Sequence, residues 1–267
     1  GARLLVGRGV PASPRDGARL IAASARQDNT DALQLCGVLA AVGIGGAQNW
    51  DAAFEFVRRA AEKGDPRARG QILLIGDHAD DQLKIPQGVQ QFDAPRVLTF
   101  ERFISPSICN WIIERARPTL QAARIINAKE GGAQVHDIRT NTGMGFSLID
   151  TDLVMQVTQA RIAAAIGAPV AHQEPTNVLH YEPGQEYRPH YDFVDPGVAH
   201  FQRELMTAGQ RTVTFLIYLN DDYDALAFWN LTNGNPDPRT LHAGTPTTNG
   251  VKWLFSKWVR DRPVRLL

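Results

Sequence analysis

Three residues of this chain have the types and the spacing of a metal site. His190 and Asp192 are two positions apart in a predicted strand, so their side chains lie on the same face. A second imidazole, His242, follows at long range, as is usual where separate strands contribute the ligands. Two imidazoles and one carboxylate form the facial triad of non-haem Fe(II) sites, which leaves coordination positions open. Zinc accepts the same ligands and is the alternative metal.

A cation follows the third candidate ligand in the chain. Lys252 lies in a strand-like run that continues with Trp253. Its ammonium group could pair with the far carboxylate of a dicarboxylic acid whose other end chelates the metal. A zinc hydrolase would need a general base instead and would not need a dicarboxylic acid. The pattern therefore favours iron with a dicarboxylic cosubstrate.

The segments that carry these residues are mostly predicted strands. They are rich in β-branched and aromatic residues between Gly, Pro, Asn and Asp clusters. The predicted strands are 96–100, 177–181, 187–193, 212–219, 225–229 and 252–259. Two helices are predicted among them, one opened by Ser105 and Pro106 and continuing through Arg117, the other over 150–166 and ended by Gly167. This pattern predicts an α+β fold, with a β-sandwich or a jelly roll braced by helices.

Three segments resemble the prolyl 4-hydroxylase-like 2-oxoglutarate and Fe(II)-dependent oxygenases. They are YEPGQEYRPHYD at 181–192, QRTVTFLIYLN at 210–220, and HAGTP at 242–246 followed by KW at 252–253 and by Trp258. The resemblance covers about residues 95–263 and implies that the jelly roll is a double-stranded β-helix. It implies a dioxygenase that uses Fe(II), 2-oxoglutarate, O2 and ascorbate to hydroxylate an unactivated C–H bond. A prolyl residue of a peptide or protein is the first candidate substrate, and a free amino acid or another peptidyl residue is the alternative.

The resemblance also implies roles for individual residues. His190, Asp192 and His242 would hold iron and, with Lys252, form the catalytic centre, while Lys252 and Tyr181 would bind 2-oxoglutarate. The implied substrate-binding residues are Arg139 and Asn141 in a covering loop, with Glu174, Tyr187, Arg211 and Trp258 in the groove. Structural alternatives stay open for several of them. The tyrosines could be ordinary strand aromatics, Glu174 and Arg211 could form a structural ion pair, and one of Trp253 and Trp258 is expected in the core because five positions separate them.

The N-terminal part of the chain has a different pattern. Residues 16–76 are Ala-rich with helical spacing and repeat at an offset of 36, as in Asn29 with Asp65 and Ala32 with Ala68. The repeats resemble Sel1-like repeats, which serve as surfaces for packing or protein contact. An Ala-rich bundle with chance self-similarity is the alternative. We expect a helical repeat module at 1–80, a linker at 81–94 and an oxygenase domain at 95–267.

The composition limits the classes of partner. Lys and Arg total 28 and Asp and Glu total 28, so the chain has no net charge to attract nucleic acid or an anionic membrane surface. No apolar run is long enough to span a bilayer. Two cysteines suggest neither a disulfide framework nor a thiolate metal site, which favours a reducing, cytoplasmic location. A protein-interaction module with a degenerate oxygenase domain is the functional alternative.

One junction departs from the family pattern. In the family, a Gly-Gly-Glu-Thr-like strand and a basic hairpin precede the segment that resembles 224–229, whereas here Tyr223 is followed directly by Asp224. Either the sequence omits a disordered stretch or the domain lacks a strand. We favour omission, and intact-mass measurement tests it.

Overall fold

The computed structural model describes residues 1–76, 78, 82–126, 133–134, 136–220 and 224–264. It divides into two compact units. The first comprises Gly1–Ile85, Phe146–Ala171 and Arg265–Leu267, and the second comprises Pro86–Gly145 and His172–Val264. The domain boundaries expected from the sequence stay a prediction, with the segment 146–171 assigned to the first unit by its contacts.

The helices in the described part of the chain are α1 Ala2–Val6, α2 Pro14–Arg26, α3 Thr30–Val42, α4 Trp50–Glu62, α5 Pro66–Ile75, α6 Pro106–Ala116, α7 Leu153–Ile166 and α8 Gln202–Ala208. The strands there are β1 Val89–Asp93, β2 Arg96–Phe100, β3 Gln121–Ala122, β4 Ile125–Ile126, β5 Ala133–Gln134, β6 Thr142–Phe146, β7 Thr176–Tyr181, β8 Tyr187–His190, β9 Arg211–Tyr218, β10 Ala225–Trp229, β11 Leu231–Thr232, β12 Asn235–Pro236, β13 His242–Gly244 and β14 Lys252–Arg260.

The helices of the first unit recur along the chain. The starts of α2 and α4, and of α3 and α5, are separated by the offset of 36 seen in the sequence. Asn29 and Asp65 occupy equivalent N-caps, and each side chain accepts a 2.9 Å hydrogen bond, from Ala32 N and Ala68 N respectively. Two helical hairpins therefore begin their second helices in the same way, while their assignment to Sel1-like repeats stays a prediction.

Helix α7 also belongs to the first unit. Its first backbone N–H, at Leu153, donates a 2.8 Å hydrogen bond to Gln71 Oε1 on α5. Asp152 caps the helix by accepting from Met155 N at 3.1 Å, and Gly167 ends it in the left-handed conformation. The predicted start at residue 150 was therefore three residues early, because residues 148–150 form a separate turn before the Asp152 cap.

The second unit is built on an eight-stranded sheet of order β1-β2-β10-β9-β14-β7-β6-β3. The paired registers along it, from β1/β2 to β14/β7 and in β3/β6, are antiparallel. Phe100, Phe103 and Phe215 pack together in the core with ring centroids 5.0–5.7 Å apart. Three two-stranded sheets, β8/β13, β11/β12 and β4/β5, accompany it in the described residues. The structure thus has a mixed architecture with a large antiparallel sheet, while the double-stranded β-helix stays a prediction.

Most predicted elements of this unit are confirmed. Ser105 caps α6 by accepting from Ile108 N, and Pro106 is its first residue. β1 lies within the range 81–94 that was predicted as a linker. The predicted strand 187–193 was wrong in extent, because β8 ends at His190. Beyond it, the backbone of Val194 bonds to a glutamine side chain rather than to a strand.

Other sequence expectations have mixed outcomes. The two cysteines, Cys36 and Cys109, are buried and have free thiols. No helix among the described residues is long and apolar enough to cross a bilayer. Tyr223, at the junction that departs from the family pattern, lies outside the described residues.

Candidate active site

The three candidate metal ligands come together at the two-stranded sheet β8/β13. The antiparallel pairing of β8 with β13 places His242 opposite His190, with ring centroids 4.3 Å apart. Asp192 lies two residues past the end of β8. Its Oδ1 is 3.7 Å from His190 Nε2, and its Oδ2 is 3.4 Å from His242 Nε2. The candidate ligand atoms all lie within 4.8 Å of one another.

Hydrogen bonds to the backbone orient both imidazoles. His190 Nδ1 lies 2.8 Å from the carbonyl oxygen of Arg188, and His242 Nδ1 lies 2.9 Å from that of Thr240. A carbonyl only accepts, so each Nδ1 carries the hydrogen and donates it. The lone pair of each ring is then on Nε2, which faces Asp192. This arrangement fits a divalent metal held by two imidazoles and one carboxylate.

A buried polar chain supports the carboxylate of Asp192. Thr214 Oγ1 on β9 donates a 2.7 Å hydrogen bond to Asp192 Oδ2, and Asn230 Nδ2 donates to Thr214 Oγ1 at 3.1 Å. Burial alone would raise the pKa of Asp192, but the hydrogen bonds and the two histidines outweigh it and lower that pKa to about 2. The side chain is therefore an anion at neutral pH. The sequence prediction missed Thr214, although a threonine inside an apolar strand was a usable signal.

The pKa values of the two histidines are shifted in opposite directions. Burial, together with the neighbouring His242, lowers the pKa of His190 to about 4. Burial would also lower the pKa of His242, but the nearby Asp192 carboxylate favours the protonated ring, outweighs burial and raises the pKa. At neutral pH His190 is thus a neutral imidazole, the form that binds metals.

Gln210 holds the backbone just beyond the ligand Asp192. Its Nε2 donates to Val194 O at 2.6 Å, and its Oε1 accepts from Val194 N at 2.7 Å. Oε1 also accepts from Arg211 N at 2.9 Å. The side-chain amide thereby replaces a strand partner for Val194. It fixes the exit of the segment that carries Asp192, a role that the sequence prediction did not assign.

A small cavity of about 130 Å³ adjoins the triad. Lys252 and Tyr181 line it and face each other in the β14/β7 register, with the Lys252 ammonium 4.3 Å from the Tyr181 ring centre. Lys252 Nζ donates to Thr245 O at 3.1 Å, and in the described part of the chain no carboxylate pairs with it. Burial raises the pKa of Tyr181 to about 12, so its hydroxyl keeps a hydrogen to donate. The cavity can therefore receive an anionic group.

Gly244 makes room for that tyrosine. A Cβ at this position would lie 3.1 Å from Tyr181 Oη and 3.4 Å from its ring. A side chain there would require the tyrosine to shift by a few tenths of an ångström, so a glycine favours the close approach.

A larger cleft of about 780 Å³ also reaches the triad and contains Asp192 among its lining residues. Tyr187 lines both cavities and stacks on His190 with ring centroids 3.4 Å apart. Arg139 lines both as well, with its guanidinium 4.6 Å above the Tyr187 ring. Arg139 Nε donates to Asn141 Oδ1 at 3.1 Å, and Asn141 itself is buried.

An ion-pair network supports one wall of the cleft. Arg211 makes two hydrogen bonds to the Glu174 carboxylate, at 2.6 and 3.0 Å, and its guanidinium lies 3.8 Å from the Trp258 ring centre. Arg260 also donates to Glu174, at 2.6 Å, and pairs with Glu204. This network holds Arg211 and Trp258 in place as one wall of the cleft.

Known proteins include relatives of this chain, although no family model matches it. Prolyl 4-hydroxylase 1 of Arabidopsis thaliana is 30% identical over 203 residues, which cover 63% of this chain and 70% of that protein. The chain belongs to the prolyl 4-hydroxylase-like family. Probable prolyl 4-hydroxylase 7 of the same plant is 28% identical over 243 residues, which cover 76% of this chain and 74% of that protein.

Solved structures of prolyl hydroxylases resemble the chain more distantly. One is the viral collagen prolyl hydroxylase of Paramecium bursaria Chlorella virus-1 in a 2OG complex, with 18% identity and a TM-score of 0.45 over 61% of this chain and 94% of that one. Another is a Pseudomonas putida prolyl-4-hydroxylase, with 15% identity and a TM-score of 0.40 over 61% of this chain and 92% of that one.

In this prolyl 4-hydroxylase-like chain, the residues singled out from the sequence fall into two groups. Most line one or both cavities: Arg139, Tyr181, Tyr187, His190, Asp192, Arg211, His242, Lys252 and Trp258. Asn141 and Glu174 line neither, and each instead contacts an arginine that does. Trp253 is buried and packs on His180, with ring centroids 4.3 Å apart. It is the core member of the tryptophan pair.

Proposed function

We propose that this protein is a 2-oxoglutarate- and Fe(II)-dependent dioxygenase that hydroxylates an unactivated C–H bond, with a prolyl residue in a peptide or protein as its substrate. Membership of the prolyl 4-hydroxylase-like family supports the reaction class. The observation that carries the proposal is the arrangement of two imidazole Nε2 atoms around Asp192, beside a cavity that contains Lys252. A site for a metal and a site for an anion thus share one wall.

The roles of the residues follow from their chemistry. His190, Asp192 and His242 would hold Fe(II), leaving positions open for a cosubstrate and O2. Lys252 and the Tyr181 hydroxyl would bind the distal carboxylate of 2-oxoglutarate. When bound, iron supplies the oxidising chemistry that side chains lack. Ascorbate would serve to keep the iron reduced.

The larger cleft supports a peptide as the substrate. It opens beside Asp192 and is lined by Tyr187, Arg211 and Trp258, which offer aromatic faces and a guanidinium. The Arg211 and Glu174 pair fixes one wall, while Tyr187 packs on the ligand His190. These residues would hold the target C–H bond against the metal and keep water out.

An anaerobic titration of metal-free protein with Fe(II) and 2-oxoglutarate tests the proposal. A chelated 2-oxo acid on Fe(II) gives a visible charge-transfer band. We expect that band in the wild type and in the control Asp93→Asn, which alters an exposed residue of β1. We expect it to be absent in Asp192→Ala. Formation of succinate and hydroxyproline from a capped proline peptide then tests the substrate.

The absence of the band in folded wild-type protein would contradict the proposal. Tight zinc binding without a requirement for 2-oxoglutarate would favour a hydrolase. A band together with turnover of free proline, but of no peptide, would retain the dioxygenase and reject the peptidyl substrate.

A further inference from the structure

Two arginines on neighbouring segments line the same end of the larger cleft. Ala123 N donates a 2.9 Å hydrogen bond to Asn141 O, and Ala122 pairs with Thr142 in the β3/β6 register. The segment just before Arg124 therefore runs beside the segment just after Arg139. Both arginines belong to the cleft lining.

Neither arginine is neutralised within the described part of the chain. Arg124 is exposed and forms no hydrogen bond or ion pair with a described residue. Arg139 donates from Nε to the neutral Asn141 amide and stacks on Tyr187, and no described carboxylate pairs with it. Two positive charges thus face the cleft without a counter-ion from the protein in these residues.

The other charged groups of the cleft are largely compensated. Arg211 is paired with Glu174, and Glu204 with Arg260. Asp192 belongs to the histidine cluster. Asp195 accepts a 2.8 Å hydrogen bond from Gly197 N and is the cleft carboxylate that no described cation neutralises. Among the cations that line the cleft, Arg124 and Arg139 are therefore the two with which no described carboxylate pairs.

We propose that Arg124 and Arg139 bind a side-chain carboxylate of the substrate, so that the enzyme prefers peptides with an Asp or Glu close to the hydroxylated residue. Guanidinium groups present planar donor pairs that match a carboxylate. Tyr187 holds Arg139 in a fixed orientation by stacking, which lowers the entropic cost of that contact. This inference rests on the proposed function, because it assumes that the cleft binds the peptide substrate.

Arg124 separates this proposal from 2-oxoglutarate binding. Arg139 lines both cavities, but Arg124 lines only the larger one. A change at Arg124 should therefore alter peptide binding and leave the 2-oxo acid band unchanged. Arg96 on β2 lines neither cavity and lies 4.2 Å from the Trp229 ring centre, so Arg96→Gln is a matched control for loss of one arginine.

The test measures peptide binding without turnover. Fluorescently labelled peptides, blocked at both ends, carry one proline with Glu, Gln or Lys at each nearby position in turn. Their Kd is measured by anisotropy under anaerobic conditions with Fe(II) and 2-oxoglutarate. We expect one Glu position to lower Kd about fivefold relative to Gln, and Lys there to raise it. The preference should shrink from about 0.05 to about 0.5 M salt.

The variants give the decisive comparison. Arg124→Gln should reduce the Glu preference to about twofold or less and keep the charge-transfer band, while Arg96→Gln should keep both. Equal Kd for Glu and Gln peptides at every position would overturn the proposal, as would the absence of binding by any peptide. Tighter binding only when the C terminus is left free would also overturn it, because the ligand would then be a terminal carboxylate. A failed preference with an intact band leaves the proposed function standing.

Discussion

The hydroxyl of Thr214, on strand β9, donates a 2.7 Å hydrogen bond to Asp192 Oδ2. Thr214→Val keeps the shape of the side chain and removes this donor. We expect metal affinity to fall about tenfold, because groups that orient a ligand typically contribute 10- to 100-fold. Titration with Fe(II) or Zn²⁺ in competition with a chromophoric chelator measures the effect.

Thr212→Val is the matched control for that change. Thr212 lies two residues earlier on β9, and its hydroxyl donates to Val259 O instead of to the metal cluster. We expect its metal affinity to match that of the wild type. In Thr214→Val, the buried Asn230 also loses an acceptor, so the free energy of unfolding should fall by about 1–2 kcal/mol. Equal metal affinities in the two variants would show that Thr214 does not support the ligand.

Gln210 offers a second test of how the ligand segment is held. Gln210→Leu removes both hydrogen bonds to the Val194 backbone and leaves its N–H and C=O without these partners. We expect metal affinity to fall about tenfold, because Asp192 is only two residues from Val194 in the chain. Gln91→Leu on the exposed strand β1 should leave it unchanged. A loss of thermal stability in Gln210→Leu with wild-type metal affinity would mean that the amide only stabilises the fold.

Lys252 should determine the affinity for 2-oxoglutarate and not for the metal. Lys252→Met keeps the length of the aliphatic chain and removes the charge that is expected to pair with the distal carboxylate. We expect the Kd of 2-oxoglutarate, measured from the charge-transfer band, to rise about 10- to 100-fold. Tyr181→Phe should have a smaller effect because it removes a neutral donor. An unchanged Kd in Lys252→Met would place the carboxylate on Arg139 instead.

The sequence predicted the local elements well and singled out three residues that the structure brings together, because both leave local signals. Ser105 with Pro106, and Gly167, mark helix ends by capping chemistry that acts within a few residues. His190, Asp192 and His242 are recognisable by type and spacing. The end of β8 could not be predicted in this way, because it depends on a side chain, Gln210, that comes from a segment distant in sequence.

The supporting interactions of the site also depend on contacts that only the folded chain makes. Nothing in the sequence shows whether Asn141 and Glu174 contact the substrate or instead hold an arginine in place. Only the folded chain shows that both bond to arginines of the cavity walls. The pairing of charges in the cleft is likewise visible only in the folded chain, so the net charge of zero for the whole chain does not reveal that no described carboxylate pairs with Arg124 or Arg139.

Lys257 should make the stability of the protein depend on pH. It lies on β14 with 1% of its surface exposed, and its Nζ donates to Thr176 Oγ1 at 2.8 Å. Burial lowers its pKa to about 7, although the charge of Glu174 opposes this. Between pH 7 and the ordinary lysine pKa of about 10.4, the unfolded chain holds a proton that the folded chain has released. The free energy of unfolding therefore rises with pH in this window.

Lys257→Met removes this dependence. Below pH 7 the folded wild type carries a buried charge. We therefore expect the unfolding free energy of the variant to exceed that of the wild type by the largest amount near pH 6. That difference should shrink by about 1–3 kcal/mol by pH 9, because the wild-type lysine is then neutral when folded. Urea unfolding at both pH values measures it, with the exposed Lys63→Met as the control. A difference that does not change with pH would show that Lys257 keeps its charge in the folded protein.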